Sequence, residues 1–384
     1  MNIDQPWLQA SSTRAVCDAL VSGGAEIYFV GGCVRNALLG EAVSDLDLAT
    51  NVTPQRVMQL AESAGLKVVP TGIEHGTVTV VAEGLPHEIT TFRKDVATDG
   101  RRAVVAFASD IAEDARRRDF TMNALYARPD GTVVDPLGGL PDLLARRVRF
   151  IGTAQNRIRE DYLRILRYFR FHSWYGKAED GFDPEALEAI SDTQEGLGQL
   201  SRERVGAEMV KLLRAPDPAP SVAVMRQLGV LALVLPGADD RALAPLVHLE
   251  EGLPPAAETR LAALGGDAPR ESLRLSKALA ARVELLRDLA SGSMGAAEMA
   301  YRHDAETARR ALILRSALLE MPVNPLLETD IEEGDHARFP LTAQDLMPQY
   351  QGVDLGRRLK TLEARWIRSG FTLSRDELLS QRNT

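Results

Sequence analysis

Cysteine is scarce: Cys17 and Cys33 are the only two among 384 residues. Two cysteines build no disulfide framework, and these two have no metal-ligand spacing. Long apolar runs are also missing, and none approaches the roughly 18 residues of a membrane span. The first residues, MNIDQPWLQASSTRAV, lack a basic start followed by an apolar core, so no secretory leader is expected and a cytoplasmic location is. Internal repeats and long low-complexity tracts are absent as well. Histidine offers little: His75 is expected to serve a turn or packing. The isolated His303-Asp304 pair has no second histidine and distal aspartate to make a metal phosphohydrolase centre.

What remains is a chain long enough for two or more domains with a substantial core. Its net charge of -9 argues superficially against a polyanionic partner. The distribution argues otherwise: Thr91 to Lys177 holds 17 Lys+Arg against 11 Asp+Glu, about +6, which leaves about -15 for the rest. A polyanion would be drawn to that segment and repelled elsewhere, although a solvated arginine-rich surface has the same composition.

Chemistry concentrates in YFVGGCVRNALLGEAVSDLDLAT, from Tyr28 to Thr50. Ile27 to Val30 predicts a buried strand, Gly31 and Gly32 a tight turn, and Cys33 to Leu39 a short helix ended by Gly40. Unpartnered backbone N–H groups at such a turn suit an anionic phosphate, and Arg35 would add a guanidinium fork. Asp45 and Asp47 are expected on the next strand, where a period of two sends both carboxylates to one side. Such a pair is a hard-oxygen site for Mg²⁺, which prefers substrate phosphates as its other ligands. A double-glycine turn or a D-x-D pair is commonplace alone, but their combination with Arg35 in one strand-turn-helix-strand unit is far more specific.

Breakers and periodicity give the organisation. Thr53-Pro54 starts a helix that runs to Gly65, and Thr77–Ala82 and His87–Phe92 form a hairpin around residues 83–86. Lys94 to Arg102 is expected to be a mobile loop. After about Leu140 strand signals fade, and helices are expected over Asp161–Trp174, Arg204–Leu213 and Glu271–Leu289. Residues 215–220, APDPAP, make a rigid linker or a sharp inter-helix break. In RIREDYLRILRYFRF, from Arg157 to Phe171, Ile158, Tyr162, Ile165, Leu166 and Phe169 should bury one helix face. Asp161, Arg164, Arg167 and Arg170 step by three along an oblique ridge, where Asp161 and Arg164 could simply pair on a solvated face.

Gly-Gly-x-Val-Arg, Leu38-Leu39-Gly40 and Asp45-x-Asp47 resemble the class II tRNA nucleotidyltransferase family, which contains bacterial CCA-adding enzymes and poly(A) polymerases. The resemblance continues through His75-Gly76-Thr77, Glu88-Ile89-Thr90-Thr91, Asp99 to Arg102, Arg117 to Ala124, Asp135 to Gly139 and Glu160 to Arg164. It is specific over about residues 27–214 and weak beyond. One departure is Asn36, where the family usually has Asp; it keeps an acceptor and loses a charge.

The resemblance implies an α+β chain: a polymerase β-like catalytic head over residues 1–140, a helical neck over 141–214 and a helical, tRNA-binding body and tail over 215–384. It implies nucleotidyl transfer from CTP and ATP to the 3′ end of tRNA, with Asp45 and Asp47 holding two Mg²⁺ and Gly32 and Arg35 cradling the triphosphate. Arg118 would contact phosphate or sugar, with Asp119 orienting it or recognising a ribose hydroxyl, and Glu88 would be a third acid near the metals. Asp161 and Arg164 would read the base edge, backed by Arg167 and Arg170. Arg offers only donors and ionised Asp only acceptors, so the pair suits cytosine or, reoriented, adenine. No protein partner and no membrane is implied. CCA addition is favoured over poly(A) addition because the chain ends LSRDELLSQRNT, without a long basic tail. CC-only or A-only addition stays open. An inactive RNA-binding module is opposed by the intact Asp45 and Asp47. A protein-modifying nucleotidyltransferase would not need the basic helix or the long helical half.

Overall fold

The computed structural model describes residues 1–99 and 102–380. They fall into two compact units, Met1–Val234 and Leu235–Thr384. The fold is α+β, as expected, with all of its sheet in the first unit.

The sheet grows from Ile27–Val30 (β1), an apolar run buried at all four positions, as befits a central strand. Asp47–Thr50 (β2), Lys67–Gly72 (β3), Thr77–Ala82 (β4) and Leu85–Thr91 (β5) extend it on one side. Beyond the Arg93–Asp99 (β6) and Arg102–Phe107 (β7) pair, Tyr126–Ala127 (β8) and Val133–Val134 (β9) extend it on the other. The order is β3-β4-β5-β2-β1-β8-β9. Among the described strands only β2 and β5 run parallel, in a register that sets Asp47 opposite Glu88. On one face Tyr28, Val30 and Ala49 pack with Phe92, Ala115 and Tyr126; Phe29, on the other, meets Trp7.

Local signals hold where capping chemistry is explicit. Gly40 (φ 73) closes the Gly32–Leu39 helix in the left-handed conformation. The Thr53 side chain accepts from Arg56 N–H at the head of the Pro54–Ser63 helix. Other expectations are corrected. The hairpin loop is two residues, Glu83 and Gly84, both at positive φ, the backbone twist that two-residue hairpins favour. Most of Lys94–Arg102 is not a loop: β6 and β7 form an antiparallel ribbon, while Gly100 and Arg101 lie outside the described residues. The β-branched residues there, Val96, Thr98, Val104 and Val105, favour strand pairing.

Asp45 precedes β2 rather than lying on it, because pairing begins at Asp47. The helix expected over Asp161–Trp174 is present as Leu163–Tyr175, but the single helical face expected over Arg157–Phe171 is broken: Ala154–Glu160 ends at Asp161, which is extended, before Leu163–Tyr175 starts. The Asp161 carboxylate accepts from Leu163 N–H at 3.1 Å, a local bond that competes with helix continuation. The break expected over residues 215–220 is an inter-helix break at residues 214–218, inside the first unit, between Arg202–Leu213 and Ala219–Gln227. In the second unit, Glu271–Leu289 is two helices, Pro269–Ser272 and Lys277–Ser291. The second is capped by Ser276, whose hydroxyl accepts from Leu279 N–H.

Candidate active site

The site lies at the start of β2 and the start of the Gly32–Leu39 helix. Gly31 (φ 70) makes the turn, and a Cβ there would sit 3.4 Å from Arg118 and 3.7 Å from Asn123 Oδ1. Those are ordinary contact distances; it is the positive φ that calls for glycine. Its N–H is not free for a ligand, as the sequence suggested, but donates to Leu125 O at 3.1 Å. The amides that open the helix begin at Gly32, where helical geometry leaves the first N–H groups without a carbonyl partner.

Three carboxylates gather around the start of β2. Asp47 and Glu88 are opposite each other across β2 and β5, and Asp45 is exposed just before β2. Asp47 is solvent-accessible, yet the protein walling one side desolvates it and raises its carboxyl above the ordinary range. Glu88 and Asp45 push the same way, and Arg118 opposes them. Among the described residues, no three acidic, histidine or cysteine side chains form a metal site complete in itself. Two carboxylates with unneutralised like charge beside them fit instead a hard cation that shares its remaining coordination with phosphate and water.

Arg118 is fixed from below. Its Nη2 donates to Asp114 Oδ2 at 3.0 Å and its Nε to Tyr126 Oη at 3.1 Å, with the guanidinium 5.3 Å from the Tyr126 ring centre. Burial works against its charge, but Tyr126 and Asp114 outweigh that and raise its pKa. The orienting group is thus Asp114, not Asp119. Asp119, buried, accepts from Asn123 Nδ2 at 3.2 Å and from Arg167 Nε at 2.7 Å.

Asn123 passes the connection on, accepting from Arg35 Nη1 at 2.7 Å. Arg35 is only 6% exposed. Its other partners are Tyr175 Oη at 2.7 Å and Asn36 Oδ1 at 2.9 and 3.2 Å, and it stacks 4.0 Å from the Tyr175 ring centre. All these hydrogen-bond partners are neutral. Burial, and secondarily the Arg170 charge, lower its pKa. Arg35, Arg167 and Arg170 all lie within 5.5 Å of the Phe171 ring centre. Three guanidinium groups with two carboxylates, Asp119 and Glu208, leave one positive charge for an anion.

Asn36→Asp would put a carboxylate on the same N–H groups and neutralise Arg35. Steady-state kinetics should show KM for nucleotide rising by up to about tenfold, ~1.4 kcal/mol, with kcat little changed.

The base-reading candidates are all present, but not as a self-paired ridge. Asp161 accepts from Arg204 Nη2 at 2.7 Å, and Arg164 donates to Glu160 Oε2 at 2.6 Å and Arg157 O at 2.8 Å. The i, i+3 pair of Asp161 and Arg164 therefore does not form, because the helix break turns Asp161 away. Ile158, Ile165, Leu166 and Phe169 are fully buried as expected, while Tyr162 is half-buried. His75 ends a short turn and its carbonyl accepts from Arg93, and Asp304 caps the Ala305–Leu319 helix. The sequence reading missed Asp114, Tyr126, Tyr175, Arg204 and Glu208; only Asp114, four residues before Arg118, left a local signal.

Known proteins resemble this chain along nearly its whole length. Residues 27–149 match the poly A polymerase head domain, and residues 181–241 match a probable RNA and SrmB-binding site of polymerase A. The mitochondrial CCA tRNA nucleotidyltransferase 1 of Danio rerio is 34% identical, over 92% of this chain and 86% of its own. The Homo sapiens counterpart is 32% identical, over 99% and 92%. The Bacillus stearothermophilus CCA-adding enzyme, solved with CTP, superposes with a TM-score of 0.76 at 26% identity, covering 95% of this chain and 94% of that one. The chain belongs to the CCA tRNA nucleotidyltransferase family.

Proposed function

We infer that this chain is an enzyme that adds C, C and A to the 3′ end of tRNA, taking them from CTP and ATP and releasing pyrophosphate. One observation carries the reading. Asp47 lies in the field of Arg118, and hydrogen bonds run from Arg35 through Asn123 and Asp119 to Arg167 of the Leu163–Tyr175 helix. Together they set an acidic end beside a basic, phosphate-sized end. An RNA-binding module without activity has no use for the acidic end.

In this reading Asp45 and Asp47 hold the divalent cation, expected to be Mg²⁺ and two ions, which supplies charge neutralisation and a lowered pKa at the attacking hydroxyl. Arg35 and the amide end at Gly32 bind the triphosphate, and Arg118 takes a ribose or phosphate oxygen. The 3′-oxygen of the RNA forms a bond to the α-phosphorus as the bond to pyrophosphate breaks. Asp161 accepts from the exocyclic amine that cytosine and adenine share, and Arg164 donates to the ring edge. Arg167 and Arg170 back them. Residues 1–140 act as catalytic head, 141–214 as neck, and 215–384 bind tRNA by backbone and shape, which needs no base-stacking aromatics. A cytoplasmic location belongs to the same proposal. Among the described residues no helix is long and apolar enough to cross a membrane.

Labelled CTP, ATP or both, supplied with Mg²⁺ to tRNA transcripts ending before CCA, after C and after CC, test the assignment. Addition of C, C and A that then stops is expected. Stopping after CC, or needing a CC end, would make the enzyme a specialist; long A tracts on an unstructured RNA would make it a poly(A) polymerase. No incorporation despite tRNA binding would leave only an RNA-binding module. Arg164→Ala is expected to cost discrimination against UTP and GTP by about tenfold to a hundredfold, more than it weakens triphosphate binding. Unchanged preference would remove Arg164 from base reading.

A further inference from the structure

Phe171 and Tyr175 lie one turn apart at the end of the Leu163–Tyr175 helix, hence on one face. Both rings meet Arg35, whose guanidinium carbon stands 5.1 Å from the centre of the first and 4.0 Å from the centre of the second. The two rings also contact each other, with centres 5.4 Å apart. Arg35 Nη2 in addition donates to Tyr175 Oη at 2.7 Å. One aromatic side chain at the end of this helix thus holds Arg35 both through its ring and through its oxygen, across 140 positions of sequence.

The choice of partner has a chemical consequence. A carboxylate in the place of Tyr175 would hold the guanidinium and cancel its charge. A phenol and a ring face hold it without cancelling. Burial pulls the Arg35 pKa down, and the largest influence opposing it is Tyr175. The phenol also has something left to give. An oxygen that accepts from a guanidinium keeps its own hydrogen, and among the described residues the Tyr175 hydroxyl has no other partner. Tyr175 is only half-buried. The pair stands beside the glycine that opens the Gly32–Leu39 helix, since a Cβ at Gly32 would lie 3.8 Å from Arg35 Nη2. An anion at that helix start would find a cation and a hydroxyl donor side by side.

We propose that Tyr175 is a further residue of the triphosphate subsite: its ring and oxygen hold Arg35 as an unneutralised cation, and its hydroxyl is a second donor to a phosphate oxygen. The inference rests on Arg35 binding the triphosphate. Tyr175 shares one helix with Arg164, Arg167 and Arg170, so that helix meets the nucleotide at its phosphates as well as at its base.

The test is single-nucleotide incorporation by the full-length enzyme, CTP into a tRNA transcript ending before CCA and ATP into one ending in CC, with pyrophosphate as product inhibitor. Tyr175→Phe, which keeps the ring and removes the hydroxyl, is expected to raise KM for CTP and ATP alike by about tenfold, the worth of one hydrogen bond to a charged group. The pyrophosphate inhibition constant should rise by the same factor, while kcat, KM for tRNA and the preference for C over U stay near their wild-type values. Tyr175→Leu, which removes the ring as well, should raise the same constants about threefold further. Arg35→Gln is measured alongside. If Arg35→Gln raises both constants while neither Tyr175 variant does, Tyr175 is a packing residue and the triphosphate role of Arg35 stands. If Arg35→Gln leaves both unchanged, that role itself falls. Tyr175→Phe with wild-type constants would overturn the donor, and a changed preference between bases would move Tyr175 out of the phosphate subsite. Should Tyr175→Leu fail to fold, Tyr175→Phe, which keeps the packing, decides.

Discussion

Alanine at Asp47 or at Asp45 is expected to abolish nucleotide incorporation while sparing the fold and tRNA binding. Both carboxylates stand where the cation must sit, and several kcal/mol of transition-state stabilisation pass through such a site, on the order of a thousandfold or more in rate. Stability should respond differently. Asp47 is pushed toward protonation by partial burial and by the like charges of Glu88 and Asp45, so removing it relieves strain rather than breaking a bond. The melting temperature of Asp47→Ala is expected to equal or slightly exceed that of the wild type. Incorporation of labelled CTP, equilibrium tRNA binding and thermal unfolding, measured together, separate these effects. Retained turnover would refute the assignment, and a collapsed melting temperature would mean that Asp47 is a structural residue. Glu88→Gln makes a useful contrast. Glu88 faces Asp47 across two parallel strands, and its loss should slow the reaction far less if it only shapes the local field.

How much of this was legible in the sequence depends on how far each interaction reaches along the chain. The strand at Ile27–Val30, the glycine turn, the helix stop at Gly40 and the cap at Thr53 are decided within a few residues, and all appeared where periodicity and capping chemistry put them. The break at Asp161 escaped because the apolar period runs through it in phase: Ile158 and Ile165 are buried on either side. The decisive event there is one side-chain bond, to Leu163 N–H. Asp45 was placed on a strand because spacing alone cannot say where pairing begins; that is set by β5, some forty residues away. The partners of the site arginines lie furthest out of reach. Arg35 bonds residues 88 and 140 positions away, and Asp119 bonds Arg167 across 48. Motifs named these residues as functional, but only the packed fold decides which carboxylate serves which guanidinium. That is why Asp119 looked like the partner of its neighbour Arg118, whose partner is Asp114.

Asp114 is where the largest loss of stability is expected. Its side chain, with the residue 1% exposed, accepts from Tyr126 Oη at 2.7 Å, Arg117 Nε at 2.9 Å, Arg118 Nη2 at 3.0 Å and Arg93 N–H at 3.2 Å. Asp114→Ala strands these donors in a buried site, at a cost of about 3–5 kcal/mol. Asp114→Asn keeps the shape and removes the charge. Burial alone would raise the Asp114 carboxyl, but Arg118, Arg117 and the Tyr126 hydroxyl override it and bring it from 3.8 down to about 2. A lowered folded-state pKa means that the stabilisation is complete above the unfolded value and fades as pH falls toward 2. The difference corresponds to about 2–3 kcal/mol. Urea unfolding at pH 7 should therefore show Asp114→Asn less stable than wild type by that amount, and the gap should narrow between pH 4 and 2. A gap independent of pH would mean that shape, not charge, holds the cluster. Activity gives a second readout. Arg118 without its anchor should raise KM for CTP and ATP together and leave the preference between bases untouched, the opposite of what Arg164→Ala is expected to do. If Asp114→Asn altered base preference instead, Arg118 would belong to base recognition rather than to the ribose and phosphates.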